Sequence, residues 1–112
     1  MTKIKYFLIF FLFLFNFFKI ELCWCVNIET GKKLFNENCI ACHNKGTNVI
    51  IPEKNLQKEI LERNGMYNMD SIMYQVLNGK NGMPAFGGRL KENEIEEIAN
   101  YVILAAQKNF DF

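Results

Sequence analysis

Cys39-Ile40-Ala41-Cys42-His43 is the stretch that decides how this chain is read. Two thiols three positions apart, with an imidazole directly after the second, form the attachment motif of a c-type haem. One turn of backbone brings both sulfurs to a porphyrin edge, where each can close a thioether onto a vinyl group. The next side chain then aims a ring nitrogen at the iron. His43 is the only histidine among the 112 residues, so no other ring competes for that role. Iron held in this way takes a second protein ligand, and a thioether opposite the imidazole raises the potential for electron transfer. A zinc site would need four nitrogen or sulfur ligands. Only Cys39, Cys42 and His43 remain once the leader described next is set aside. A thioredoxin-like dithiol belongs beside a strand in a βαβ unit, and no strand pattern flanks this motif. Haem is the reading that survives.

Apolar residues crowd the start of the chain. Seven of the eleven Phe precede residue 19, in the run from Tyr6 to Phe18 that follows the basic pair Lys3 and Lys5. That run is short for a bilayer span and suits the core of an export signal. Cys23 and Cys25 supply small residues at alternate positions, which places the expected cut after Cys25. Residues 1–25 are then a cleavable signal peptide and residues 26–112 a single domain. An uncleaved membrane anchor is the competing reading. No Ser/Arg-rich transit segment precedes the signal, which suits a protein made in a bacterium or inside an organelle.

Without the leader, ten basic and eleven acidic residues remain, a formal net charge of −1. No basic excess points to nucleic acid. The two remaining cysteines are the haem pair, so no structural disulfide is available. A domain this small buries a modest core, and a planar apolar cofactor would supply part of it. The apo chain is expected to fold poorly.

Helical patterns account for most of residues 26–112. Asn27 should cap a helix from Ile28 to Asn38, with Leu34 and Phe35 on its apolar side. Gly31 in that helix marks either a close backbone approach or a tolerated glycine near the helix start. A polar stretch, Asn44 to Asn48, follows the haem motif. The Pro52 carbonyl is the expected partner of the free N–H of His43, and Val49 and Ile50 cover the haem edge or belong to the core. Further helices are expected from Lys54 to Arg63, stopped by Asn64-Gly65, and from Asp70 or Ser71 to Leu77, stopped by Asn78-Gly79. The strongest stripe is Ile95, Ile98, Ala99, Val102, Ile103 and Ala106. Glu92, Glu94, Glu96 and Glu97 in its first turns complement the helix dipole. Tyr101 on that helix is placed to meet Gly31 and Phe35.

Four methionines precede or occupy the candidate ligand region. Met66, Met69 and Met73 sit in or beside helical segments, where Met usually fills gaps. Met83 stands in Asn81-Gly82-Met83-Pro84-Ala85-Phe86-Gly87-Gly88, a turn-rich stretch that cannot be helical. Pro84 drives the residue before it into an extended conformation, so this loop can carry a thioether over a haem face. Met83 is the expected second axial ligand.

Taken together, Cys39 to His43, Pro52-Glu53-Lys54, Asn64-Gly65-Met66, Tyr74-Gln75-Val76, Asn78 to Asn81, Met83 to Leu90 and Ala99 to Val102 closely resemble cytochrome c6. That family comprises the soluble photosynthetic cytochromes c of algae and cyanobacteria. The haem motif is common to all c-type cytochromes; the run from Tyr74 to Leu90 is far more specific. The resemblance implies an all-α class I cytochrome c fold, with four to five short helices around one covalently bound haem c and the first and last helices crossed. It implies a carrier in the thylakoid lumen of an algal plastid or a cyanobacterium. Such a carrier takes one electron from the cytochrome b6f complex and passes it to photosystem I. It also implies that Gln75 tunes the haem, that Arg89 meets the photosystem near the haem edge, and that Lys54 lies near a propionate or a partner surface. Each of these three is otherwise an ordinary solvated side chain. Nothing corresponds to the cysteine-containing insertion of a related plant and algal variant. Lys91 starts the last helix where the family often has a better cap.

With both axial positions filled, the expected reaction is Fe(III)/Fe(II) cycling without bond making at the metal. The chain is expected to be an electron carrier and not an enzyme, not embedded in the membrane after processing, and a monomer or weak oligomer. A lumenal or periplasmic carrier serving a respiratory terminal oxidase would use the same chemistry.

Overall fold

The computed structural model describes residues 1–17 and 27–112. The expected cleavage point after Cys25 lies outside the described residues. Helix α1 (Thr2–Phe17) is apolar all round, with its bulky side chains from Phe7 to Phe15 exposed. No described helix is long and apolar enough to cross a membrane.

Five α-helices build the domain: α2 (Ile28–Asn38), α3 (Ile40–His43), α4 (Lys58–Arg63), α5 (Met69–Asn78) and α6 (Glu92–Gln107). No strand occurs among the described residues. Helix α2 begins where the sequence places it, with Asn27 Oδ1 accepting from the Thr30 N–H at 3.4 Å. Asn68 does the same for α5, accepting from the Ser71 N–H at 2.9 Å. Both satisfy one of the donors that a helix start leaves free. Lys91 begins α6 without a side-chain cap. Its own N–H instead donates to Glu94 Oε2 at 2.8 Å, which is half of a capping box.

Helices α2 and α6 cross and make the main packing contact of the domain; α5 also packs against α6. The crossing is close because Gly31 has no side chain. A Cβ there would collide with the Glu97 carbonyl oxygen and lie 3.0 Å from the Tyr101 Cβ. Backbone approach is therefore the role of this glycine. Beside it the Phe35 and Tyr101 rings meet at 5.2 Å between centroids, tilted by 54°. The buried stripe of α6 is Ile95, Ile98, Ala99, Tyr101, Val102, Ala105 and Ala106. Ile103, expected inside, is half-buried at the edge of the core, and Ala105 takes the inner position.

The expected helix from Lys54 starts four residues late. Pro52–Lys54 form a 3-10 turn, and Asn55 is extended at φ −77°, ψ 177°. Asn55 Oδ1 accepts from the Gln57 N–H at 3.0 Å, and Asn55 Nδ2 donates to the Pro52 carbonyl at 3.2 Å. Local side-chain bonds of this kind offer the backbone an alternative to the helix. The Leu56 N–H donates to the Gly46 carbonyl at 2.7 Å, which ties the extended stretch to the haem-motif side of the domain. Helix α4 ends as expected at Asn64-Gly65. Gly65 has φ +66°, and the Met66 N–H reaches back to the Leu61 carbonyl at 2.8 Å.

Candidate cofactor site

Between α2, α3, α5, α6 and the loop that follows α5 lies a cavity of ≈ 450 Å³. That falls within the range of small-molecule and cofactor sites. Phe35, Leu61, Ile72, Val76, Phe86 and Ile98 form its apolar walls, and Lys54, Lys80 and Asn64 are among the polar residues that also line it. Cys39, Cys42, His43, Met83, Gln75 and Lys54 all line this one cavity.

Cys39 closes α2 and opens α3, and the short helix α3 carries Cys42 and His43. The His43 N–H donates to the Cys39 carbonyl at 2.9 Å, so a single turn groups the three side chains. Both thiols are free. Burial, with a smaller contribution from Cys42, pushes the Cys39 thiol up to about 11. Before any haem is attached, this thiol stays protonated at neutral pH in apolar surroundings, which does not suit a reactive thiolate. Among the described residues no cluster of three His, Cys, Asp or Glu could hold a metal ion.

His43 Nδ1 lies 2.9 Å from the Thr47 carbonyl oxygen. A carbonyl only accepts, so the proton is on Nδ1 and the lone pair of Nε2 is left for a metal. The expected partner, Pro52, is thereby corrected: its carbonyl accepts from Asn55 Nδ2. The reason is a sharp local turn. Lys45 at φ +52° and Gly46 at φ +75° are both left-handed and fold the chain back, so that the carbonyl four residues on meets the ring. Asn48 fixes the next stretch, accepting from the N–H groups of Ile50 and Ile51 and donating to the Lys54 carbonyl. Ile50 is exposed and lines the cavity, while Val49 is exposed without lining it, so neither belongs to the core.

The loop bearing Met83 is held in three places. Lys80 and Met83 exchange backbone hydrogen bonds at 3.1 and 3.0 Å around Asn81 and Gly82, which are left-handed at φ +49° and +90°. Positive φ at both central residues is the mark of a two-residue type I′ turn. The N–H groups of Phe86 and Gly87 donate to the Val76 and Leu77 carbonyls at 2.9 and 3.1 Å, docking the loop on the end of α5. Gly79, at φ +65°, lies under it, and a Cβ there would collide with the Met83 carbonyl oxygen and sit 2.7 Å from the Ala85 nitrogen. Gln75 Nε2 donates to Met83 Sδ at 3.7 Å. This contact uses one sulfur lone pair and leaves the other available.

Two thiols, an imidazole with Nε2 free and a thioether on one apolar cavity are the donor set of a c-type haem. Met66 also lines the cavity and is the one rival thioether there; Met69 and Met73 pack against the core instead. Arg89 does not reach the cavity. Its guanidinium lies over the Phe86 ring, 5.0 Å from the centroid, and Phe86 lies between it and the interior. Thr47 and Asn48 are functional positions that motif reading overlooks. The one signal for them is Gly46, three residues after the motif, where a chain reversal is easy.

A family model described as cytochrome c oxidase, cbb3-type, subunit III, matches residues 26–102. Cytochrome c6 of Petalonia fascia is 58% identical over 76% of this chain and 100% of its own length. Cytochrome c6 of Bumilleriopsis filiformis is 54% identical over 76% of this chain and 99% of its own. The chain belongs to the cytochrome c6 family. The crystal structure of cytochrome c6 from the diatom Phaeodactylum tricornutum superimposes with a TM-score of 0.72 at 48% identity, covering 74% of this chain and 98% of that one. The fold is therefore that of a class I cytochrome c, as the resemblance implied. Like other members of the cytochrome c6 family, the chain is an electron carrier rather than an enzyme, and its haem is of the covalently bound c type.

Proposed function

We propose that the chain carries single electrons from the cytochrome b6f complex to photosystem I in the thylakoid lumen, after removal of residues 1–25 as an export leader. In this reading Cys39 and Cys42 hold the haem through thioethers, and His43 and Met83 are its axial ligands. The observation that carries it is the convergence of these four side chains on one cavity, from segments far apart in sequence. When bound, the haem supplies a one-electron couple. The chain's residues do the rest: His43 is oriented by Thr47, Met83 by its turn and Gln75, and the apolar walls exclude water, which sets the potential. Lys54 and Lys80 line the cavity and are placed to meet propionates. Arg89, exposed and stacked on Phe86, is assigned to partner contact rather than to the haem.

The test of the ligand set is a visible spectrum of Met83→Ala. Loss of the long-wavelength sulfur-to-iron band with a large fall in potential is expected, and an unchanged spectrum would move the ligand to Met66. The test of the route is electron transfer to isolated photosystem I. The second reading, donation to a respiratory terminal oxidase, draws on the matching oxidase-subunit family model. Rapid reduction of photosystem I with slow turnover of the oxidase supports the first reading, and the reverse supports the second.

A further inference from the structure

The geometry points to Phe110 as a positioning residue for the proximal ligand: its ring braces the left-handed turn at Lys45 and Gly46, and so keeps the Thr47 carbonyl on Nδ1 of His43. Backbone and packing observations lead there together. Helix α6 ends in a Schellman motif, with the Phe110 N–H on the Ala105 carbonyl at 2.7 Å and the Asn109 N–H on the Ala106 carbonyl at 3.1 Å. Asn109, left-handed at φ +52°, is an ordinary residue for that turn. Phe110 is not. It too is left-handed, at φ +54°, a conformation that a bulky aromatic residue adopts rarely and at a cost in free energy. Such backbone persists only where the surroundings over-determine it.

What the strained turn achieves is a contact. The Phe110 ring lies directly against the Cα of Gly46, so close that a Cβ there would overlap Cδ2 and stand 2.7 Å from Cε2. On its other side the ring meets Phe35 at 6.1 Å between centroids. Gly46 is buried, and its carbonyl is held by the Leu56 N–H at 2.7 Å. The turn is thus fixed by Leu56 from one direction and by Phe110 from another. The next residue, Thr47, presents the carbonyl that His43 Nδ1 meets at 2.9 Å. Interiors are packed tightly enough that removing such a ring gives its neighbours room to move.

The consequence reaches the iron through the imidazole. Donation from Nδ1–H to a carbonyl makes Nε2 more basic, which favours the ferric state. A loosened turn weakens that bond and shifts the midpoint potential in the positive direction. This inference rests on the reading of His43 as proximal ligand.

The experiment uses the haem-loaded full domain of wild type, Phe110→Ala, Phe110→Leu and Phe110→Trp. Exchange of the His43 Nδ1–H with solvent is followed by NMR in the reduced protein, relative to core amides of α6, together with the midpoint potential. For Phe110→Ala the ring proton is expected to exchange about tenfold faster against those amides, with a positive shift in potential. Phe110→Trp should restore both, and Phe110→Leu should fall between. If the alanine variant does not hold its fold, the leucine variant carries the same two readouts. Lower thermal stability with unchanged exchange and unchanged potential would overturn the proposal and leave Phe110 a packing residue only. A His43→Ala variant with an unaltered haem spectrum would instead sink the ligand reading itself, so the two failures are told apart.

Discussion

At Met83 the contact that matters is a weak one, from Gln75 Nε2 to the sulfur at 3.7 Å. With Met83 as the proposed axial ligand, a donor on one lone pair would draw electron density from sulfur and weaken its donation to the iron, which would favour the ferrous state. Gln75→Leu keeps approximate volume and removes the donor, so its midpoint potential should fall; a redox titration against wild type measures it, and an equal potential would deny the contact any role. Residues differ in how far their roles could be read in advance. The grouping of Cys39, Cys42 and His43 on one wall of the cavity is legible because the three are nearly contiguous in sequence. The non-helical loop of Met83 is legible because Pro84 and the flanking glycines forbid a helix. Thr47 is not, since its role depends on a left-handed Lys45, and nothing in the side chain of a lysine encodes positive φ. The place of Arg89 near the haem edge rests on the resemblance alone; in the structure its guanidinium stacks over the ring of Phe86, a cavity-lining residue.

Among the elements, the α2–α6 crossing depends on a missing methyl group. Gly31→Ala must push Glu97 and Tyr101 away, and overpacking of this sort costs about 1–3 kcal/mol. A denaturant midpoint lowered with an unchanged slope would show it. The start of α6 offers the opposite case. Lys91 contributes no side-chain acceptor, so Lys91→Asp, which adds one and puts negative charge at the helix start, should stabilise by about 0.5–1 kcal/mol without moving the potential. Capping residues and periodicity made α2 and α5 legible to within two residues and marked the apolar stripe of α6. Periodicity failed at α4, where Asn55 bonds its own neighbours and delays the helix. Apolar spacing does not reveal that competition.

For the whole molecule, the cavity walls belong to the same core that joins the helices: Phe35, Leu61, Ile72, Val76, Phe86 and Ile98 serve both. The domain should therefore depend on its haem for cohesion. A Cys39→Ala, Cys42→Ala double variant produced without haem is expected to show reduced helical circular dichroism and no cooperative thermal transition. Alkali provides a second global test through Tyr101. Burial raises this phenol above its ordinary value of 10.0. The unfolded chain then loses its proton first, so the contribution to stability is complete below about pH 10 and declines as pH climbs toward the folded value. Compared with Tyr101→Phe, the wild type should lose ground in denaturant midpoints measured from pH 9 to 12.

The two side chains proposed as axial ligands also differ in how soon they can be in place. The imidazole and its carbonyl partner are four residues apart, whereas the thioether follows about forty residues later and must close a long loop. A newly made chain can present its sulfurs and ring as a ready local unit while the remainder is still uncoiled. In the proposed ligation a sulfur–iron bond would then form last, and its absorption band would serve as a built-in clock that records when maturation is complete.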